Sequence, residues 1–106
     1  MTLSAARRSA QSGKAEWLVV FLHGYGSHGA DLMSFADYWQ SSMENVAFVA
    51  PDGPEATKDG GFQWIGKRPA GDPRLYDDAV AVAPPVHDFI DAELARENLD
   101  ASRLAL

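Results

Sequence analysis

Trp17-Leu18-Val19-Val20-Phe21-Leu22-His23-Gly24-Tyr25-Gly26-Ser27-His28-Gly29 is the stretch on which the fold turns. Its first six residues form an unbroken apolar run, β-branched and aromatic, the pattern of a strand covered on both faces as in a parallel sheet. A glycine-rich loop, His23 to Gly29, stops it. Beyond the loop, Asp31 can cap a short helix whose apolar positions Leu32, Phe35, Ala36 and Trp39 share one face. Strand, loop and helix in that order open an α/β unit.

Working outward, Val46 to Ala50 is a second short apolar run, ended by Pro51-Asp52-Gly53-Pro54 because proline lacks the ladder donor. Pro51 to Arg74 then reads as a long irregular surface loop pinned by Phe62, Trp64 and Ile65. Leu75 to Leu99 is helical in pattern, and Pro84-Pro85 predicts a break after which the helix restarts. Val86, Phe89, Ile90 and Leu94 form its core stripe, while Asp88, Asp91, Glu93 and Arg96 are expected to face water. The adjacent Asp77 and Asp78 point apart and suit a helix N-terminus better than an acid/base pair.

After a turn at Asn98 to Ser102, Arg103 to Leu106 starts a third apolar run. The expected architecture is α/β and three-layered, with a mostly parallel sheet whose Trp17 strand lies between the Val46 and Arg103 strands, joined by right-handed crossovers. Residues 1–15 carry no assigned element and are expected to be poorly defined. A buried-type strand in the last four residues wants further neighbours. Residues 1–106 are therefore expected to be the N-terminal part of one larger domain, with an exposed sheet edge through which copies could associate.

Composition limits the function. At 106 residues, 46% hydrophobic and 23% charged, the chain has the make-up of a globular domain. Its formal charge of -6 argues against nucleic acid as a partner, since phosphate binding needs clustered cations. The absence of cysteine removes disulfides, thiolate nucleophiles and thiolate metal sites, which suits a reducing compartment. No apolar run approaches the roughly 20 residues of a membrane span. Met1 to Lys14 has no apolar h-region, so a cytoplasmic location is expected.

The loop admits three readings. Gly24, Gly26 and Gly29 satisfy G-x-G-x-x-G, and Asp52 stands where a dinucleotide-binding fold places its ribose acid. Against this, His23 separates the glycines from the strand, and the helix starts only after the third glycine. Ser27 resembles an elbow nucleophile with Tyr25 in place of the first glycine, yet its neighbour His28 points away along the chain. The third reading is an oxyanion-hole loop of the His-Gly-x-Gly kind, in which glycines let backbone N–H groups approach a charged acyl oxygen. Its donor is the N–H of Tyr25, with His23, Gly24 and Gly26 shaping the loop.

Leu18 to Gly26 resembles the opening strand and oxyanion loop of the phospholipase/carboxylesterase family, related to acyl-protein thioesterases, within the α/β-hydrolase superfamily. Ala47 to Pro51 resembles that family's next strand, Gly61-Phe62-Gln63-Trp64 its aromatic loop, and Asp91 to Leu106 the helix and strand leading to its nucleophile elbow. His28 departs from the pattern, where a small polar or acidic residue is expected. The resemblance implies a partial α/β-hydrolase fold that stops before the G-x-S-x-G serine, with the Asp and His of the triad later still. It implies hydrolysis of small carboxylic esters or thioesters through an acyl-enzyme, with no metal or organic cofactor, and an inactive chain when taken alone. Trp64 and Phe62 are candidate acyl-pocket residues, although anchoring the loop is the simpler role for both. His23 reads as structural, His28 and His87 as surface residues, and the three histidines have no zinc spacing. A dinucleotide-binding oxidoreductase fragment and a non-catalytic interaction module are the alternatives.

Overall fold

The computed structural model describes residues 3–106. Its strands are β1 (Ala5–Arg8), β2 (Trp17–Val20), β3 (Val46–Pro51), β4 (Glu55–Ala56), β5 (Phe62–Gln63) and β6 (Leu104–Ala105). Its helices are α1 (Met33–Trp39) and α2 (Arg74–Arg96). The main sheet has the order β1-β3-β2-β6, so the Trp17 strand does lie between the other two expected strands. Both pairings of β2 are parallel, Leu18 opposite Ala47 on one side and Leu104 on the other.

The period-2 alternation along β2 and β3 separates two cores. Leu18, Val20, Ala47 and Val49 point to one face, where Phe89, Ile90 and Leu94 of α2 cover them. Val19, Phe21, Phe48 and Ala50 point to the other face, under Met33 and Ala36 of α1. Each large side chain buried this way, such as Leu18 or Phe48 at 1% exposure, contributes about 1.5–3 kcal/mol. The result is helix, sheet, helix. No helix among the described residues is long and apolar enough to cross a membrane.

Several expectations need correction. The sheet has a fourth strand, β1, antiparallel to β3 with Ala5 opposite Pro51 and Arg8 opposite Phe48, in the segment to which the sequence assigned no element. Nothing in Ala5-Ala6-Arg7-Arg8 signals a strand, and the pairing partner supplies what propensity lacks. The irregular stretch after Pro51 also holds a small antiparallel pair, β4 with β5. Of the α1 stripe, Ala36 is fully buried while Phe35 and Trp39 are 49% and 36% exposed, and the buried Met33 completes the contact instead.

Pro84 and Pro85 do not break α2, which runs through both. The hydrogen bonds they forgo would have gone to the carbonyls of Val80 and Ala81, four residues back. Both of those residues are exposed, so water can satisfy the freed carbonyls. The helix ends at Asn98, whose φ of 58° is left-handed. The Leu99 N–H returns to Leu94 O at 2.8 Å and the Asn98 N–H to Ala95 O at 3.1 Å, a Schellman closure that turns Leu99 onto the core.

Glu93 does not face water. It is 5% exposed, and its carboxylate receives the Arg7 Nε at 3.1 and 3.2 Å and a terminal guanidinium nitrogen as well. The salt bridge joins β1 to α2, and Glu93 holds the Arg7 guanidinium above its usual range through this hydrogen bond. Removing Arg7 would leave a carboxylate buried without a partner. Arg7→Ala is expected to cost about 2 kcal/mol, below the fully buried case because Arg7 is 36% exposed. Urea unfolding measures it, and an unchanged midpoint would show that the pair contributes nothing.

Candidate active-site loop

The polypeptide leaves β2 with the Phe21 N–H still bonded to Val49 O at 2.9 Å, then enters the loop at His23. His23 is buried, with 4% exposure. Its Nε2 accepts the Gly53 N–H at 2.9 Å, and its Nδ1 lies 2.6 Å from Gly24 O. Since a backbone N–H can only donate, Nε2 is the bare nitrogen and Nδ1 carries the proton. Trp64 donates its Nε1–H to the His23 carbonyl at 2.9 Å, and the two rings lie 5.2 Å apart. With both ring nitrogens engaged the side chain is a structural tie, with no lone pair left to act as a base.

Downstream, Gly26 has φ +80°, a conformation that L side chains rarely adopt, and it turns the chain back. Its N–H donates to Phe62 O at 2.9 Å, the Ser27 N–H donates to Gly24 O at 3.2 Å, and the Phe62 N–H donates to Ser27 O at 2.9 Å. Gly61 presses so closely that a Cβ there would stand 1.9 Å from Gly26 O. The amides of Gly26 and Ser27 are thus consumed internally, whereas the N–H groups of His23, Gly24 and Tyr25 meet no acceptor among the described residues. At Gly24, in contrast, a Cβ would meet open space.

The competing readings of the loop lose their chemistry in the same geometry. Asp52 Oδ1 accepts the Gly29 N–H at 2.7 Å, so the amide that would meet a pyrophosphate and the acid that would hold a ribose bind each other. Gly29 also opens a 3-10 turn, Gly29–Leu32, ahead of α1. Ser27 donates its hydroxyl to Asp31 at 2.7 Å, which holds the Asp31 carboxyl below its usual range. Its proton is directed to Asp31 and not to His28. Among the described residues no three His, Asp or Glu side chains cluster as metal ligands would.

An open cleft of about 390 Å³ borders the loop, lined by Gly24, Tyr25, Trp64, Ile65, Lys67 and Leu75 among others. Trp64 and Ile65 also line a second cleft against α2, beside Pro54 and Val82. Trp64 therefore both ties the loop and walls the cavity. Phe62 lines neither cleft, and its ring meets His28 edge-on at 5.9 Å. Sequence reasoning passed over Gly53, Gly61, Lys67 and Arg68. The cue for Gly53 was its place in Pro51-Asp52-Gly53, a turn whose amide faces the loop. Asp78, read as a helix charge, instead receives Arg68 Nη2 at 3.2 Å with Nε as a closer second donor, and Arg68 holds its carboxyl below the usual range.

The last strand reaches the loop by register. Leu104 pairs with Leu18 and Ala105 with Val19, both strands running toward the His23 end of the sheet. A strand continued in that register would draw level with His23 to Tyr25 after about five residues.

The profile of one protein family, described as Phospholipase/Carboxylesterase, matches residues 5–106. No curated protein matches the chain. Among solved structures, that of esterase PE8 superposes with a TM-score of 0.89 at 31% sequence identity, over 98% of this chain and 50% of the other. The chain thus spans half the length of that esterase.

Proposed function

Because the chain belongs to the phospholipase/carboxylesterase family, we propose that it forms the N-terminal half of a serine ester hydrolase and provides one side of its oxyanion hole. The Tyr25 N–H is the donor, and His23, Gly24 and Gly26 shape the loop that presents it. The observation that carries this reading is a Tyr25 amide left free of internal bonds, in the loop that follows β2, beside a strand running toward the same edge. In α/β-hydrolases the second donor belongs to the residue after the nucleophile, on a strand-to-helix elbow. The continuation of β6 is where such an elbow would stand.

In the reaction, the serine hydroxyl adds to the acyl carbonyl of a small ester or thioester, and the carbonyl oxygen becomes an oxyanion. A preset N–H stabilises that charge without reorganising, which is the source of its effect on rate. Collapse of the adduct expels the alcohol or thiol and leaves an acyl-enzyme for water to hydrolyse. Trp64 contributes a wall of the acyl cleft in this reading. No cofactor enters the scheme. In this reading the serine, acid and histidine lie outside residues 1–106.

The test is an esterase assay on two lengths of protein. Residues 1–106 are expected at background on p-nitrophenyl esters, and a version extended past Leu106 is expected to hydrolyse them. Turnover by the short chain would refute the division of labour, and an extended protein without turnover would refute the hydrolase reading. Nicotinamide titration is expected to leave the tryptophan fluorescence unchanged.

A further inference from the structure

The charge balance of the cleft differs from that of the chain. Overall the protein carries -6, yet the cleft beside Tyr25 is lined by two cations, Lys67 and Arg68, and by no carboxylate. Arg68 is neutralised by Asp78. Both ring nitrogens of His23 are engaged with the backbone, at Gly24 O and the Gly53 N–H. Lys67 has no acidic partner among the described residues, and its Nζ lies 5.7 Å from the centroid of the Tyr25 ring. The ring face attracts the ammonium without cancelling its charge. One uncompensated positive charge therefore stands over the residue whose amide faces the acyl oxygen, at the rim of a cavity walled by Trp64, Ile65 and Leu75.

From this we propose that Lys67 is a specificity residue that selects esters bearing an anionic group at the far end of an apolar acyl chain. The inference rests on the hydrolase reading above. The apolar wall takes the methylenes, and the ammonium takes a carboxylate or phosphate at the rim. Lys67 acts on binding, because it pairs equally with ground state and transition state, so its effect falls on KM more than on kcat.

The probes are p-nitrophenyl hexanoate and the mono-p-nitrophenyl ester of adipic acid, which have equal chain length and differ in the terminal carboxylate. In the protein extended past Leu106, the adipate-to-hexanoate ratio of kcat/KM is expected to fall about fivefold to tenfold in Lys67→Met. Lys67→Arg is expected to restore most of it, which a merely structural role would not. In the unmodified protein the ratio is expected to fall as salt rises from about 0.01 M to about 0.5 M, since the Debye length shrinks from about 30 Å to a few Å. A mono-p-nitrophenyl ester with a terminal phosphate tells the two anions apart by its own ratio. Hexanoate turnover with a ratio indifferent to Lys67→Met overturns the role of Lys67 and leaves the hydrolase reading standing. Failure to hydrolyse either ester overturns both.

Discussion

In the protein extended past Leu106, Tyr25→Pro is expected to lower kcat on p-nitrophenyl hexanoate by about 100-fold to 1000-fold, the loss typical of one missing oxyanion donor. Proline is the informative change because it removes the N–H, and Tyr25→Ala controls for the lost ring. The turn on either side is held by the Gly26 and Ser27 amides, which proline at position 25 leaves in place. Tyr25→Ala keeps the amide and is expected to lose far less, about tenfold at most. Stopped-flow or steady-state hydrolysis, with a melting curve to confirm folding, distinguishes the two. Equal losses in Tyr25→Pro and Tyr25→Ala would assign the effect to the ring and end the role of the amide.

Gly61→Ala is expected to cost about 3 kcal/mol of stability, the upper end for forcing extra volume into a packed site. A Cβ at Gly61 would lie 1.9 Å from Gly26 O, 2.3 Å from Gly26 C and 3.0 Å from Gly26 Cα. All three are backbone atoms, so no side chain can swing away. Relief requires separating residues 61–62 from the loop, which breaks the Gly26-to-Phe62 and Phe62-to-Ser27 hydrogen bonds and shifts Tyr25. Activity of the extended protein is expected to fall with stability. Gly66→Ala is the control, since its Cβ would meet nothing within 4 Å and surface changes of that kind stay within about 0.5 kcal/mol. Similar melting temperatures for the two variants would show that the loop is not clamped at Gly61.

Much of this was legible along the chain. The apolar runs at Trp17 and Val46, the loop glycines and the stripe Val86, Phe89, Ile90, Leu94 are local patterns, and the sheet and both cores follow them. Strand β1 was not legible, because Ala5 to Arg8 has no strand pattern of its own and forms one only against β3. Glu93 misled for a related reason: a carboxylate on a helix reads as solvated until a partner 86 residues away in sequence arrives to neutralise it. Pro84 and Pro85 misled because the cost of a missing N–H depends on whether the orphaned carbonyl can reach water.

The order of apolar runs, glycines and turns along residues 17–106 was enough to establish an α/β arrangement, the central place of β2 and the loop that follows it, because those features depend on period and on backbone freedom a few residues at a time. Which amides in that loop are taken up by internal bonds, which histidine nitrogen accepts, and which cation has a carboxylate partner are visible only in three dimensions. Each depends on a partner brought from elsewhere in the chain, Phe62 for Gly26, Gly53 for His23 and Asp78 for Arg68. Hydrogen bonds and ion pairs act over a few ångströms of space, and distance along the sequence says nothing about that.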